Sequence, residues 1–370
     1  MRRFFIIIIL LSLISSCSRD NKSIEIGLIG VLSGRYSEVG VASRNGAELA
    51  VEVINRSGGI NGRMLNITSI DDKNDKKTAV QAFEKHIEAG RSFIIGPNIS
   101  HLADETKQYA NNDNILIISP TMSTDRLSGI EDNFFRVISV TSAEGTAIAD
   151  QAIKMNLKRA VVVYDVSNAE YTQPIYKRFR ARFESDVKRK IVFAKQVSKE
   201  VKENYLDLTK HILSEKPDVV LILTTAIDAA HLSQQIRKSN SDVKLLACRW
   251  AKTLDIISQG GRSVEGMVLT SMYTAKDRTP KYLEFFDLYQ QKYNTKPSFV
   301  SVYAYEAVMV LAESMKRSKS INVKSVRGQL LAIKKFKGLE EEIVINKYGD
   351  AERETSLVII KDGKFEVINE

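Results

Sequence analysis

The sequence predicts an α/β fold in two successive halves, each a parallel sheet with helices on both faces. Three observations carry this. First, residues 93–100 and 115–124 each run from a short apolar segment into a turn rich in Gly, Pro, Asn, Ser and Thr, with a helix-length polar segment between them. Buried parallel strands read as such runs, and Pro97 and Pro120 end them because proline has no ladder donor. Second, three β–α repeats stand in a row before residue 124, which argues for right-handed crossovers. Third, the same rhythm restarts after residue 137.

In order, residues 24–32 form the first buried strand, followed by the turn Ser33-Gly34-Arg35-Tyr36. Residues 39–54 carry Val41, Ala47, Ala50, Val51 and Ile54 at helical spacing, and Gly58-Gly59 supplies a left-handed stop. Asn61-Gly62 makes a turn. Residues 64–70 alternate as a strand ending in Asp71-Asp72, and 78–88 form a helix. The third and fourth strands are joined by a crossover helix over 101–112, and 134–137 is a connecting strand. The second half reads helix 143–155, strand 160–164, helix 171–183, strand 191–196, helix 205–213, strand 219–223, helix 228–238, and strands 243–247 and 268–270. Two long amphipathic helices follow over 282–293 and 299–315. The tail, 342–345 and 356–361, reads as a strand pair with Gly349 and Gly363 in turns.

The carboxyl ends of the strands in an open α/β sheet are where ligands sit. The turns at 96–100 and 119–124 are at that edge and form one wall of a candidate site.

The N-terminus has the layout of an exported chain. Met1-Arg2-Arg3 is basic, residues 4–14 are apolar except for Ser12, and Ile14-Ser15-Ser16-Cys17 follows. An apolar core this short is a signal sequence and not a membrane span. Ser15-Ser16-Cys17 resembles a bacterial lipobox, with Ile14 where Leu is usual. The resemblance implies a lipoprotein signal peptide at 1–16, diacylation of Cys17 and a tether over 17–23, anchoring the chain to a membrane. An ordinary secretory peptide with Cys17 incidental is the alternative. Cys248 is then left without a partner and no disulfide is expected.

The 370 residues are 44% hydrophobic and 27% charged, with a formal net charge of +9. This is globular composition, long enough for two domains. The basic residues are scattered, and the one dense run, Lys188-Arg189-Lys190, is too short for a nucleic-acid footprint. His86, His101, His211 and His231 lack metal-ligand spacing, and neither a nucleophile elbow nor a phosphate loop occurs. No enzyme, cofactor or metal site is expected.

Several spaced segments are similar to the branched-chain amino-acid (Leu/Ile/Val) binding protein family of ABC importers. They are Gly27-Leu28-Ile29-Gly30-Val31-Leu32-Ser33-Gly34, Asn45-Gly46-Ala47-Glu48-Leu49-Ala50, Ile54-Asn55, Gly58-Gly59-Ile60-Asn61-Gly62, Asp71-Asp72, Ile95-Gly96-Pro97 and Ile118-Ser119-Pro120. The likeness is strongest over 24–140 and collinear to about 360. It implies the periplasmic binding protein type I fold: two Rossmann-like lobes with three hinge crossings, closing on a ligand. Lobe one is implied over 24–139 plus 273–340 and lobe two over 140–272 plus 341–370. The implied function is an extracytoplasmic solute-binding lipoprotein that passes a small amino acid or organic acid to an ABC permease. The same fold occurs in lipoproteins and receptor domains that regulate or sense through a protein partner, such as penicillin-binding-protein activators, and this is the alternative.

By position, the resemblance places a ligand carboxylate against Asn98-Ile99-Ser100 and Thr121-Met122-Ser123. Hydroxyls and helix N-terminal N–H groups suit an anion, although Ser100 and Ser123 also fit as plain N-caps. Tyr171 aligns with a tyrosine that closes over the ligand, with Thr172 where the family often has Gly; a core aromatic at a helix start is its other explanation. Ala226-Ile227 stands where the family has an aromatic contact. Arg249 and Trp250 fall near the family's ammonium-pairing acid, and locally no acid follows until Asp255. A guanidinium beside an aromatic wall suits a planar or dicarboxylic acid; alternatively Arg249 snorkels to solvent and Trp250 packs the lobe edge. Tyr36 is a further candidate at the cleft mouth.

Overall fold

The computed structural model describes residues 22–198, 204–239, 242–271, 279–353 and 355–368; Cys17 and the rest of the N-terminal segment lie outside them. β1 (Ile24–Gly30), β2 (Leu65–Asp71), β3 (Phe93–Ile95), β4 (Leu116–Ser119) and β5 (Phe134–Arg136) form an all-parallel sheet in the order β2-β1-β3-β4-β5. Every residue of β3, β4 and β5 is buried, as expected for strands covered on both faces.

β6 (Arg159–Asp165), β7 (Lys190–Val197), β8 (Val219–Leu223), β9 (Lys244–Ala247) and β10 (Val268–Ser271) make the parallel part of a second sheet. β11 (Lys335–Lys337), β12 (Glu342–Ile345) and β13 (Ala351–Glu352) form a small antiparallel sheet. β14 (Ser356–Lys361) and β15 (Lys364–Val367) then extend the second sheet antiparallel, giving seven strands in the order β15-β14-β10-β9-β8-β6-β7. The first lobe is built on the five-stranded sheet and the second on the seven-stranded one.

The tail corrects one expectation. Residues 342–345 do not pair with 356–361. β12 pairs instead with β11, just upstream, through Phe336 opposite Ile343. β14 pairs with β15 across Asp362-Gly363, both at positive φ (50° and 68°), the backbone a two-residue hairpin turn demands. Both pairings are hairpins closed by a short turn, which costs little loop-closure entropy. The crossover expected over 101–112 is a 3₁₀ turn, Ser100–Leu102, leading into the helix Ala103–Ala110. The helix Val323–Ile333 was not read from the sequence.

The helix Phe299–Arg317 lies along the helix Ser37–Arg56 and over β3 and β4. Gly46 permits this: a Cβ there would stand 2.1 Å from the Ser301 carbonyl oxygen. The chain passes between the sheets three times, after β5, after β10 and after β13. The first and third passages are tied together, because the Ser139 hydroxyl donates to the Arg353 carbonyl at 2.9 Å and accepts the Arg353 N–H. No helix among the described residues is long and apolar enough to cross a membrane.

Candidate ligand-binding site

The two turns at the carboxyl ends of β3 and β4 are stitched into one platform. The Ser119 hydroxyl donates to the Pro97 carbonyl at 2.6 Å and accepts the Met122 N–H at 3.0 Å. The Thr121 hydroxyl donates to the Asn98 carbonyl at 2.9 Å, and the Ser123 N–H donates to Ser100 Oγ at 3.3 Å. Beneath them Arg136, fully buried at the end of β5, donates to the Thr124 carbonyl at 2.8 Å and pairs with Asp350. Each bond satisfies a group that burial would otherwise penalise, so the loops are held by neighbours and not by their own propensity.

The facing wall comes from the second lobe. Asp165 at the end of β6 accepts the Ser167 N–H at 2.8 Å and sets the 3₁₀ turn Val166–Asn168, from which the helix Ala169–Phe183 starts. Asn168 and Tyr171 project from that start, and Arg249 and Trp250 from the 3₁₀ turn Arg249–Ala251 after β9. Between the walls lies a cavity of about 30 Å³. Val39, Asn98, Ile99, Ser100, Thr121 and Phe299 line it from one side, and Asn168, Tyr171, Arg249 and Trp250 from the other.

Five residues singled out in the sequence, Ser100, Thr121, Tyr171, Arg249 and Trp250, therefore meet at one cavity. Three others do not line it. The Met122 side chain is buried in the core with Ile94, Ile117 and Phe134. The Ser123 hydroxyl accepts from Thr141 Oγ1 at 2.9 Å and is fully buried toward the first interlobe passage. Tyr36 sits behind Trp250, ring centroids 5.6 Å apart, and donates its hydroxyl to Asp165 at 3.1 Å. Burial, with Asp165 adding to it, pushes the Tyr36 hydroxyl well above the usual tyrosine range.

Arg249 does not reach solvent. It is 3% exposed, stands over the Tyr171 ring at 5.5 Å and pairs with Glu144 at 3.3 Å. Tyr171 donates its hydroxyl to the same carboxylate. Burial opposes the Arg249 charge, yet Glu144 keeps its pKa above the ordinary arginine value. Burial raises the Tyr171 hydroxyl, and the neighbouring Cys248 thiol is pushed up to about 12. Cys248 is buried and free. Sequence reasoning missed Glu144. As an acid in the first turn of the helix Ser142–Lys154 it is already explained by the helix dipole. Val39, Asn168 and Phe299 were missed for a similar reason: each reads locally as a helix-start residue.

Further contacts close the rim across the cleft. Arg35, after β1, pairs with Asp228 at the start of the helix Ala226–Lys238. Arg126 reaches Glu170 at 3.0 Å and Asp104 at 2.6 Å. Among the described residues no group of three or more His, Cys, Asp or Glu is placed to hold a metal ion.

A two-lobed α/β architecture with a cleft between the carboxyl ends of both sheets is common to many binding proteins, so fold and site alone do not decide the family. A family profile described as periplasmic binding protein matches residues 23–364. The chain belongs to the periplasmic binding protein family. A leucine-, isoleucine-, valine-, threonine- and alanine-binding protein of Pseudomonas aeruginosa is 24% identical over 322 residues, covering 86% of this chain and 84% of that protein. A Leu/Ile/Val-binding protein homolog of Brucella melitensis is 24% identical over 302 residues, 80% of each chain. Among solved structures, the branched-chain amino acid transporter substrate binding protein of Streptococcus pneumoniae in complex with isoleucine superposes with a TM-score of 0.85 at 22% identity, covering 94% and 99% of the two chains. An ABC transporter solute binding protein of R. palustris in complex with benzoate gives 0.83 at 21% identity, covering 94% and 95%. This member of the periplasmic binding protein family is a binding protein and not an enzyme.

Proposed function

We propose that the protein is the extracytoplasmic solute-binding component of an ABC importer. It captures a small amino acid or organic acid by hinged closure of its lobes and delivers it to a membrane permease. The observation that supports this most directly is the convergence of both lobes on one cavity, with Ser100 and Thr121 facing Tyr171, Arg249 and Trp250. Hydroxyls and backbone N–H groups on the first lobe suit a carboxylate, and Tyr171, Trp250 and Phe299 offer aromatic surface to the rest of the ligand. Relatives named for amino acids and for benzoate span that chemistry. A cavity of about 30 Å³ is room for a water or two, so a solute enters and seats only when the lobes move apart. Hinge closure is an established mode for two-lobed binding proteins.

Lobe one is assigned to 24–139 with 279–352, and lobe two to 140–271 with 355–368. Residues 341–352 go to the first lobe because Gly349 accepts the Arg136 N–H at 3.0 Å and Asp350 pairs with Arg136. Membrane attachment through a diacylated Cys17 completes the proposal, and Cys17→Ser should move the expressed protein from the membrane to the soluble fraction.

The function is tested by a thermal-shift screen of the mature chain, Cys17 replaced by Ser, against amino acids, dicarboxylates and aromatic acids. A ligand of the folded state adds about 2.7 kcal/mol of stability at a hundredfold excess over its dissociation constant. Failure of every class to raise the midpoint sinks the solute-binding assignment.

A further inference from the structure

We propose that Glu144 sets the charge class of the ligand: by neutralising Arg249 it restricts the site to solutes with a single carboxylate, zwitterionic amino acids included, and excludes dicarboxylates. This rests on the solute-binding function proposed above and concerns which solute that site takes.

Arg249 is the cation that lines the cavity. Taken alone, it would attract a second carboxylate at the far end of a ligand, where Tyr171 and Trp250 form the wall. It is not alone. Glu144 projects from the first turn of the helix Ser142–Lys154, its side chain entirely buried, with Oε2 at 3.3 Å from the guanidinium. The Tyr171 hydroxyl donates to Oε1, which fixes the carboxylate beside the arginine. The remaining polar side chains of the lining, Asn98, Ser100, Thr121 and Asn168, are neutral.

The ion pair therefore presents no net charge to the cavity. A ligand carboxylate approaching Arg249 also approaches Glu144, and in a low-dielectric site the repulsion offsets the attraction. A ligand's own first carboxylate has the hydroxyl hydrogen of Ser100, whose oxygen accepts the Ser123 N–H; a second finds no uncompensated cation. On the same wall, buried Asn168 Oδ1 has no hydrogen-bond partner. It is an acceptor that suits an N–H or O–H donor on the ligand and not another anion.

Glu144 is a positioning residue, acting through Arg249, so the readout is selectivity and not affinity alone. Isothermal titration is run on the mature Cys17→Ser chain and on the same chain carrying Glu144→Gln. The probes are matched pairs: leucine with glutamate, 4-methylpentanoate with glutarate, benzoate with terephthalate. The expected result is that the parent prefers the monocarboxylate of at least one pair by about tenfold or more, and that Glu144→Gln, with Arg249 uncompensated, reduces or inverts that preference. Equal or tighter binding of the dicarboxylates by the parent overturns the inference, as does a preference unmoved by Glu144→Gln. Removing both charges, in Glu144→Gln with Arg249→Gln, takes away the cation that Glu144→Gln leaves uncompensated, so the dicarboxylate gain of the single variant should be absent. A double variant that gains dicarboxylate affinity also overturns it. If no probe binds either protein, the solute-binding function itself fails, and the inference with it.

Discussion

Tyr36 and Trp250 meet in a tilted aromatic contact across the cleft, one from each lobe, with ring centroids 5.6 Å apart and 31° between their planes. Trp250 also meets the edge of Tyr171 at 5.9 Å and 89°. It is the single tryptophan of the chain, so its emission reports on this junction alone. Ligand addition should change the tryptophan fluorescence saturably. Tyr36→Leu removes an aromatic pair worth ~0.5–1.5 kcal/mol and should weaken ligand binding by about two- to tenfold. Affinity unchanged in that variant would mean that the aromatic contact does not contribute to the closed form.

The Arg35–Asp228 pair also bridges the lobes, with Arg35 34% exposed and Asp228 9% exposed. Asp228 is further held by Tyr205 and Thr225, each donating a hydroxyl at 2.7 Å. Partial exposure limits the pair to about 1 kcal/mol or less. Arg35→Ala should therefore weaken ligand binding no more than about fivefold, and the loss should shrink at high salt. A titration series at low and high ionic strength distinguishes this from a packing effect, which salt would leave in place.

Glu38 links the helix Ser37–Arg56 to Thr253 and Asp255 at the start of the helix Leu254–Gly260. Burial raises its carboxyl to about 7; the Thr253 hydroxyl opposes that and Asp255 adds to it. The folded chain thus keeps a proton that the unfolded chain releases near the ordinary value of 4.5. By linkage, Glu38 lowers stability as pH rises from about 4.5 to about 7, and contributes no further change above that. Glu38→Gln should gain on the parent progressively through this window. Urea midpoints measured against pH would show it, and two parallel curves would refute it.

Arg136 and Asp350 form a buried ion pair beneath the platform, at 0% and 9% side-chain exposure. Breaking a buried pair from one side costs ~3–5 kcal/mol, so Arg136→Met and Asp350→Asn should each lower the denaturant midpoint markedly. Arg136→Met should also weaken ligand binding, because Arg136 holds the Thr124 carbonyl of the loop that carries Thr121. Removing both charges together should cost less than the two losses added. Strict additivity in that double-mutant cycle would deny the pair any coupling.

Much of the architecture was legible because its causes are local. Short apolar runs between turn residues marked the buried strands, and Pro97 and Pro120 marked where two of them end. The likeness of the strand-end segments to the family then placed Ser100, Thr121, Tyr171, Arg249 and Trp250 together. The tail was misread for the opposite reason: 342–345 and 356–361 have the same local pattern, and nothing in it says which strand each pairs with.

By itself, then, the sequence determined the two α/β halves, the turns at their carboxyl edges and the aromatic and cationic character of one cleft wall, because propensity and hydrophobic period act over a few residues. Only the tertiary structure decided that Glu144 faces Arg249, that Tyr36 backs Trp250 rather than lining the cavity, and that Met122 and Ser123 turn into the core. Those relations join residues far apart in the chain, and a charge in a helix's first turn or a hydroxyl in a loop has a sufficient local reason to be there. What it meets after folding depends on how elements distant in the chain pack, within one lobe for Glu144 and Met122 and across the cleft for Tyr36, and no local pattern records that.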